Sequence, residues 1–332
     1  MINNNELLKR IFIIGAGQLG SRHLQALKNI KLGLEINVID PNLESLKIAK
    51  ERYESIDGIT SHKVFYHSSL SEVDSLGIID IVIIASNSNV RFKITKQLLE
   101  KFNVKVIVFE KILFDKKKDY EVALTLLKNK GVIGYVNCCM RMMSFYKKIK
   151  ADFINTKFKY LVSGSKFGLA TNLPHYIDHM SFLSNDLNYK LNTSFLDKTI
   201  INSKRPGFYE LTGTCHVNFS QGSQGIFTCY SNGELPCVVE AFNEKIRFVS
   251  KESEGKVFVS SYDNNWHWNE IDFSIPFQSQ LTVNLIDDIL NNKSCDLPTF
   301  EDSVILHLPF LESLKEFVNE NSKLDIDYYP FT

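Results

Sequence analysis

The stretch Lys9-Arg10-Ile11-Phe12-Ile13-Ile14-Gly15-Ala16-Gly17-Gln18-Leu19-Gly20 decides the fold of this 332-residue chain. Ile11 to Ile14 is a continuous apolar run, the pattern of a parallel strand covered on both faces. Three glycines follow at once, each with a different task. Gly15 permits a tight turn, Gly17 lets backbone approach a pyrophosphate, and Gly20 lets helix and strand pack closely. Leu19, His23, Leu24, Leu27 and Ile30 then recur at helical spacing, and Leu34 to Ile39 reads as a second strand ending in Asp40, 20 residues past Gly20. Strand, glycine turn, helix, strand and acid, in that order, make a dinucleotide-binding fingerprint of glycines that would mean little alone. The phosphate charge belongs at the helix N-terminus, where unpaired N–H groups and the helix dipole favour an anion. Gly15, Gly17, Gln18, Leu19 and Gly20 are therefore expected to line the cofactor. A carboxylate at Asp40 accepts from the ribose hydroxyls and repels a 2′-phosphate, which favours NAD over NADP.

The alternation continues outward from this unit. Lys63 to Tyr66, Ile78 to Ala85, Val104 to Phe109 and Val132 to Val136 read as strands, and Val90 to Phe102 and a stretch ending at Lys130 as helices. Right-handed crossovers between such strands give a doubly wound parallel sheet, with the turns at Ser86-Asn87, Glu110-Lys111 and Asn137 opening toward the cofactor. Beyond residue 138 the pattern changes. Phe158 to Ser163, Tyr209 to Phe219, Gly225 to Tyr230, Val238 to Phe242, Lys245 to Val249 and Lys256 to Ser261 read as successive short strands separated by turn signals. The expected fold class is an α/β Rossmann domain over 1–138 followed by an α+β domain over 139–332, with a late helix near 300–320 packing back on the first domain.

Composition excludes several classes. Thirty-eight basic residues balance thirty-eight acidic ones, whereas a nucleic-acid binder carries a clustered basic excess. No apolar run approaches the ~20 residues of a membrane helix, and the opening MINNNELLKR has no hydrophobic signal core, so a cytoplasmic protein is expected. The six cysteines lack CxxC spacing and sit in apolar surroundings, as buried thiols rather than a disulfide framework or metal site. Trp266 and Trp268 flank His267 on an alternating stretch and read as edge-strand packing.

The ordered segments GAGQLGSRH at 15–23, IIASNS at 83–88, FEKIL at 109–113, VNCCMRMMSFYKKIK at 136–150, LATNLPHYIDHMSFL at 169–183 and LPTFEDSVILHLPFLESL at 297–314 together resemble the glucose-fructose oxidoreductase and inositol dehydrogenase family, written Gfo/Idh/MocA. The resemblance spans nearly the whole chain. It implies an NAD(P)-dependent oxidoreductase with a second domain built on a large, mostly antiparallel sheet whose outer face makes a homodimer or homotetramer. The family's Glu-Lys-Pro signature stands here as Glu110-Lys111-Ile112. The resemblance makes Lys111 a proton donor or tuning charge near the nicotinamide, beside Ser86, Asn87 and Glu110. Loss of the proline removes the easy route to a cis bond, so Lys111 is expected on a differently shaped turn.

The family's second signature is kept at His175 and Asp178, but its leading aspartate is replaced by Thr171, with Asn172 beside it. His175 is the implied general acid/base. Asp178, one turn on, orients the helix or the histidine, and Thr171 and Asn172 hydrogen-bond substrate without charge. Arg141 either binds a substrate carboxylate or phosphate in bidentate fashion or serves as a surface ion-pair partner. His179 is expected to pack. The leading expectation is hydride transfer between NAD and a carbon of a sugar, sugar nucleotide or polyol, in the manner of surface-glycan pathways. The alternative is a dinucleotide-binding regulator or partner protein that turns nothing over.

Overall fold

The computed structural model describes residues 8–59, 61–273, 276 and 278–332. Residues 1–7, read above as lacking a signal core, lie outside them. The chain divides into two units: Met1–Phe114, Lys118–Asn137 and Pro276–Glu301 form one, and Asp115–Lys117, Cys138–Ile275 and Asp302–Thr332 the other.

The first unit runs β1 (Lys9–Ile14), α1 (Gln18–Leu27), β2 (Leu34–Ile39), α2 (Leu43–Glu54), β3 (Lys63–His67), β4 (Ile78–Ile84), α3 (Ser88–Lys101), β5 (Asn103–Phe109), α4 (Lys117–Lys130) and β6 (Ile133–Val136). The six strands are all parallel, in the order β3-β2-β1-β4-β5-β6. Their carboxyl halves are buried without alternation, as at Ile11 to Ile14, Ile81 to Ile84 and Val106 to Phe109, because helices cover both faces. Strand order reverses between β1 and β4, and a ligand crevice opens at the carboxyl ends beside such a switch point.

The segment 276–301 belongs to this unit, whereas the sequence reading placed it in the second domain. The reason is packing. Helix α7 (Gln278–Asn292) lies against α1, and the Thr282 hydroxyl meets Nδ1 of buried His23 at 2.9 Å. Phe300 packs 5.1 Å from Phe109, over Gly134, where a Cβ would come within 2.7 Å of it. The late helix α8 (Phe300–Asn321) begins in this unit with Phe300 and Glu301 and belongs to the second unit from Asp302 onward.

The second unit contains α5 (Ser144–Phe153), β7 (Lys159–Ser165), α6 (Leu169–Ser184), β8 (Tyr189–Leu196), β9 (Ile201–Asn202), β10 (Tyr209–Glu210), β11 (Gly213–Phe219), β12 (Gln224–Tyr230), β13 (Val238–Phe242), β14 (Ile246–Lys251), β15 (Lys256–Ser261) and β16 (Asn269–Asp272). Eight strands form one sheet in the order β16-β15-β14-β13-β7-β12-β11-β8, antiparallel except for the β7–β12 pair. These strands alternate in burial, as in β12. One face is covered by helices: Phe145 and Phe153 of α5 pack on Phe248, and Tyr176 of α6 stacks on Phe227.

The strand expected over Tyr209 to Phe219 is broken in two. Gly213, at φ +94, turns the chain, and Tyr209–Glu210 pairs with β9 instead of joining the large sheet. Strands β8, β9 and β16 escaped the reading. Trp266 and Trp268 are not on a strand but in the connection between β15 and β16, stacked about the Arg247 guanidinium at 5.4 and 4.6 Å. Cys138, Cys215 and Cys229 are buried, and the other three cysteines are half-buried. Among the described residues no helix is long and apolar enough to cross a membrane.

Candidate functional site

The first unit contains a cleft of about 650 Å³ at the carboxyl ends of β1, β2 and β4, lined by Gly15, Gly17, Asp40, Ser86, Asn87 and the apolar face of Val90 and Ile94 among others. The three glycines differ in what surrounds them. At Gly15, φ is +97 and a Cβ would lie 2.9 Å from the Ala85 and Ser86 backbone. At Gly20 a Cβ would fall 1.7 Å from the Gly15 carbonyl, so the helix can approach the turn only without a side chain. At Gly17 a Cβ would meet no atom of the described residues within 4 Å: among them the space beside the α1 N-terminus is open, and the N-cap residue, Gly17 itself, brings no capping side chain. Gln18 and Leu19 do not line this cleft, and the Gln18 side chain accepts from Arg52 of α2 at 3.0 Å.

Asp40 ends β2 and ties the turn together. One carboxylate oxygen accepts from Ala16 N–H at 2.7 Å, the other from Asn42 N–H at 2.8 Å. A carboxylate has about four acceptor positions, so half remain for a ligand's hydroxyls. Ser86 Oγ is buried at the cleft wall with no hydrogen-bond partner among the described residues, and the Asn87 side chain does not cap α3 although it occupies the capping position. The donor set, the orphaned hydroxyl and the open cradle fit a dinucleotide.

Glu110 and Lys111 follow β5. Glu110 is buried and engaged inside the fold: His23 Nε2 lies 3.0 Å from Oε1, and Asn137 Nδ2 donates to the same oxygen at 2.6 Å. Burial alone would raise its carboxyl, but those hydrogen bonds and the Lys111 charge outweigh it and bring it down to about 2. Glu110, expected on the cofactor, is in this structure a buried carboxylate whose Oε1 joins α1, β5 and the β6 end. Lys111 is half-buried. Its peptide bond to Ile112 is cis although no proline follows. Arg91, missed in the sequence, sits beneath this turn. It is buried on α3, and its guanidinium donates to the carbonyls of Ser86, Ile112 and, at 2.9 Å, Leu113. One side chain thus joins the ends of β4 and β5. Its only sequence signal was an arginine on the inner face of a helix.

In the second unit, α6 carries Thr171, Asn172, His175 and Asp178. Arg141 reaches Asp178 with both prongs, Nε to Oδ2 and Nη2 to Oδ1, each at 2.7 Å. Arg141 is thus engaged through its Nε–Nη2 edge in an ion pair that lies largely inside the unit, not at the surface. Burial pushes the Asp178 carboxyl up to about 6 against the pull of Arg141. The first turn of α6 is held by a residue the sequence reading missed, Glu210 of β10. Its Oε2 accepts from Ala170 N–H at 3.0 Å, and its Oε1 from Thr171 N–H at 3.2 Å and from the Thr171 hydroxyl. Asn172 donates its amide to the Phe167 carbonyl. Thr171 and Asn172, expected on substrate, both make bonds within the fold. His175 is half-buried one turn further on. His179 packs as expected, with Nδ1 2.8 Å from the Tyr160 hydroxyl and its ring 4.1 Å from that of Tyr146; burial takes its imidazole down to about 3.

Residues 9–138 match the profile of the oxidoreductase family with an NAD-binding Rossmann fold, Gfo/Idh/MocA. Three solved proteins share the fold of nearly the whole chain. An oxidoreductase from Agrobacterium radiobacter in complex with NAD+, L-tartaric acid and magnesium is 16% identical, with 95% of this chain and 98% of that one covered and a TM-score of 0.72. A UDP-N-acetylglucosamine 3-dehydrogenase from Acidithiobacillus ferrooxidans is 12% identical over 95% and 100%, with a TM-score of 0.70. A 3-ketoreductase variant from Actinomadura kijaniata, in complex with TDP-benzene and NADP, is 14% identical over 95% and 98%, with a TM-score of 0.67. A search of curated proteins gives no match. Residues 9–138 thus belong to the Gfo/Idh/MocA oxidoreductase family as its NAD-binding Rossmann domain, and the whole chain has the fold of these three solved proteins.

Proposed function

We propose that this chain is an NAD-dependent oxidoreductase that moves hydride between the cofactor and a carbon of a sugar, sugar nucleotide or polyol. The observation that carries the reading is the glycine cradle: a turn closed by Gly15 and Gly20 beside a Gly17 whose outer side is open. Gly17 and the α1 N-terminus hold the pyrophosphate, Asp40 the adenosine ribose, and Ser86 and Asn87 the nicotinamide half. A 2′-phosphate would be set against the Asp40 carboxylate, which favours NAD over NADP. The nicotinamide, when bound, supplies the carbon that exchanges hydride with the substrate.

The proton of the reacting hydroxyl is left to the protein. His175 takes it during oxidation and returns it during reduction, since imidazole exchanges protons near neutral pH. The Lys111 ammonium stabilises the oxygen as negative charge develops. The sugar class is supported by the dehydrogenase and ketoreductase among the solved proteins of this fold. Screening polyols, sugars and sugar nucleotides for cofactor reduction tests the reading. On any substrate found, Lys111→Met and His175→Gln are each expected to lower kcat by ~10²-fold or more, and a Lys111→Met enzyme within a few-fold of wild type contradicts the lysine's role.

One observation favours a second reading. Arg141, Thr171 and Asn172, three of the groups expected on substrate, are bonded within the fold, as suits a dinucleotide-binding partner protein that turns nothing over. Tight NAD binding with no reduction by any of the panel, together with a stable protein partner, would favour it. For either reading we propose that copies associate through the outer face of the large sheet, where Phe195, Ile226, Tyr230 and Phe242 are exposed; light scattering reads the assembly directly.

A further inference from the structure

Helix α6 begins weakly. Its N-cap, Gly168, is left-handed and offers no side chain, and no acid lies in its first turn. Pro174 sits inside it and lacks an N–H, so the Ala170 carbonyl receives no helical bond from that position. The turn from Ala170 to Pro174 therefore has fewer internal hydrogen bonds than an ordinary helix start, which already leaves its first N–H groups without helical partners.

Glu210 ties this turn from outside the helix, at its N–H groups rather than at the Ala170 carbonyl. Its two oxygens accept from the N–H groups of Ala170 and Thr171, and one takes the Thr171 hydroxyl as well. The geometry around it is close. A Cβ at Gly168 would stand 3.1 Å from Glu210 Oε1, so the carboxylate occupies the room that a larger residue would take. It is delivered by a separate hairpin, in which Glu210 pairs with Ile201. A negative charge at a helix N-terminus is favourable in itself. Thr171 stands four residues before His175, on the same face and one turn away; His175 directly follows Pro174.

We infer that Glu210 is a positioning residue for His175: by clamping the N–H groups of the first turn of α6 it steadies from outside a turn that lacks the Pro174 hydrogen bond, and so fixes the imidazole's place. The catalytic significance of that place rests on the function proposed above; the clamp itself does not. It also identifies the hairpin β9–β10, not α6 alone, as the element that sets the histidine.

The test is the side-chain NMR signal of His175 in the full chain without substrate or cofactor, assigned by its absence from His175→Gln. Glu210→Gln keeps the shape and removes the charge. The His175 signal is expected to move or split, while those of His23 and His62, in the other unit, stay. Pro174→Ala returns an N–H to the helix, so in Pro174→Ala/Glu210→Gln the displacement should shrink. Should Glu210→Gln fail to fold, Glu210→Asp, which retracts the carboxylate by one methylene, carries the same expectation. A folded Glu210 variant that melts earlier but leaves His175 unmoved would overturn the inference, as would a double variant displaced as far as the single one. A chain found to turn nothing over would leave this result standing, and a His175 signal indifferent to Glu210 would leave the proposed function standing.

Discussion

Glu110 shows what a buried charge requires. Its carboxyl is held at about 2, against 4.5 for an unperturbed glutamate, so it stabilises the fold fully above pH 4.5 and progressively less as pH falls from there toward 2. The linkage amounts to something on the order of 3 kcal/mol. Urea unfolding of Glu110→Gln is expected to show a large loss against wild type at pH 6 and a much smaller one at pH 3. Arg91→Met leaves the carbonyls of Ser86, Ile112 and Leu113 without their guanidinium and should cost on the order of 3 kcal/mol, read in the same assay. The turn of Gly15 and Gly20 was legible because its spacing between a strand and a helix is a local pattern, although Gly15 also lies against the Ala85 and Ser86 backbone. Glu110 and Glu210 were not. The first was read as facing the cofactor and the second not at all, because the partners that settle them lie 87 and about 40 residues away.

Among elements, the parallel strands were read to within a residue or two. Burial on both faces leaves a continuous apolar run, such as Ile11 to Ile14, that needs no partner to be recognised. The second sheet was harder. Strand β8, Tyr-Lys-Leu-Asn-Thr-Ser-Phe-Leu at 189–196, is half-exposed along most of its length and lacks a clean apolar face, while Tyr209 to Phe219 carried the right composition through a turn that only Gly213 betrays. The α1–α7 contact yields an element-scale prediction. Thr282→Val keeps the shape but removes the hydroxyl on His23 Nδ1; it is expected to destabilise the chain by ~1–2 kcal/mol, measured by thermal unfolding.

At the scale of the molecule, the first unit is not continuous in sequence. Residues 276–301 complete it after the chain has built most of the second, and nothing near residue 138 announces that return. A fragment ending at residue 137 lacks α7 and Phe300, and circular dichroism should find it melting broadly and well below the full chain. Joining 276–301 to it by a flexible linker should restore a cooperative transition. The function depends on whether this unit holds the dinucleotide where the glycines are, and calorimetric titration of the full chain with NAD and NADP, repeated on Gly17→Ala, decides it. A Cβ at Gly17 meets no atom of the described residues within 4 Å, so that variant should melt like wild type. NAD is expected to bind wild type at least tenfold more tightly than NADP, and Gly17→Ala to bind neither with comparable affinity. No binding of either dinucleotide to wild type, or undiminished binding to Gly17→Ala, would contradict the cofactor site and the oxidoreductase built on it.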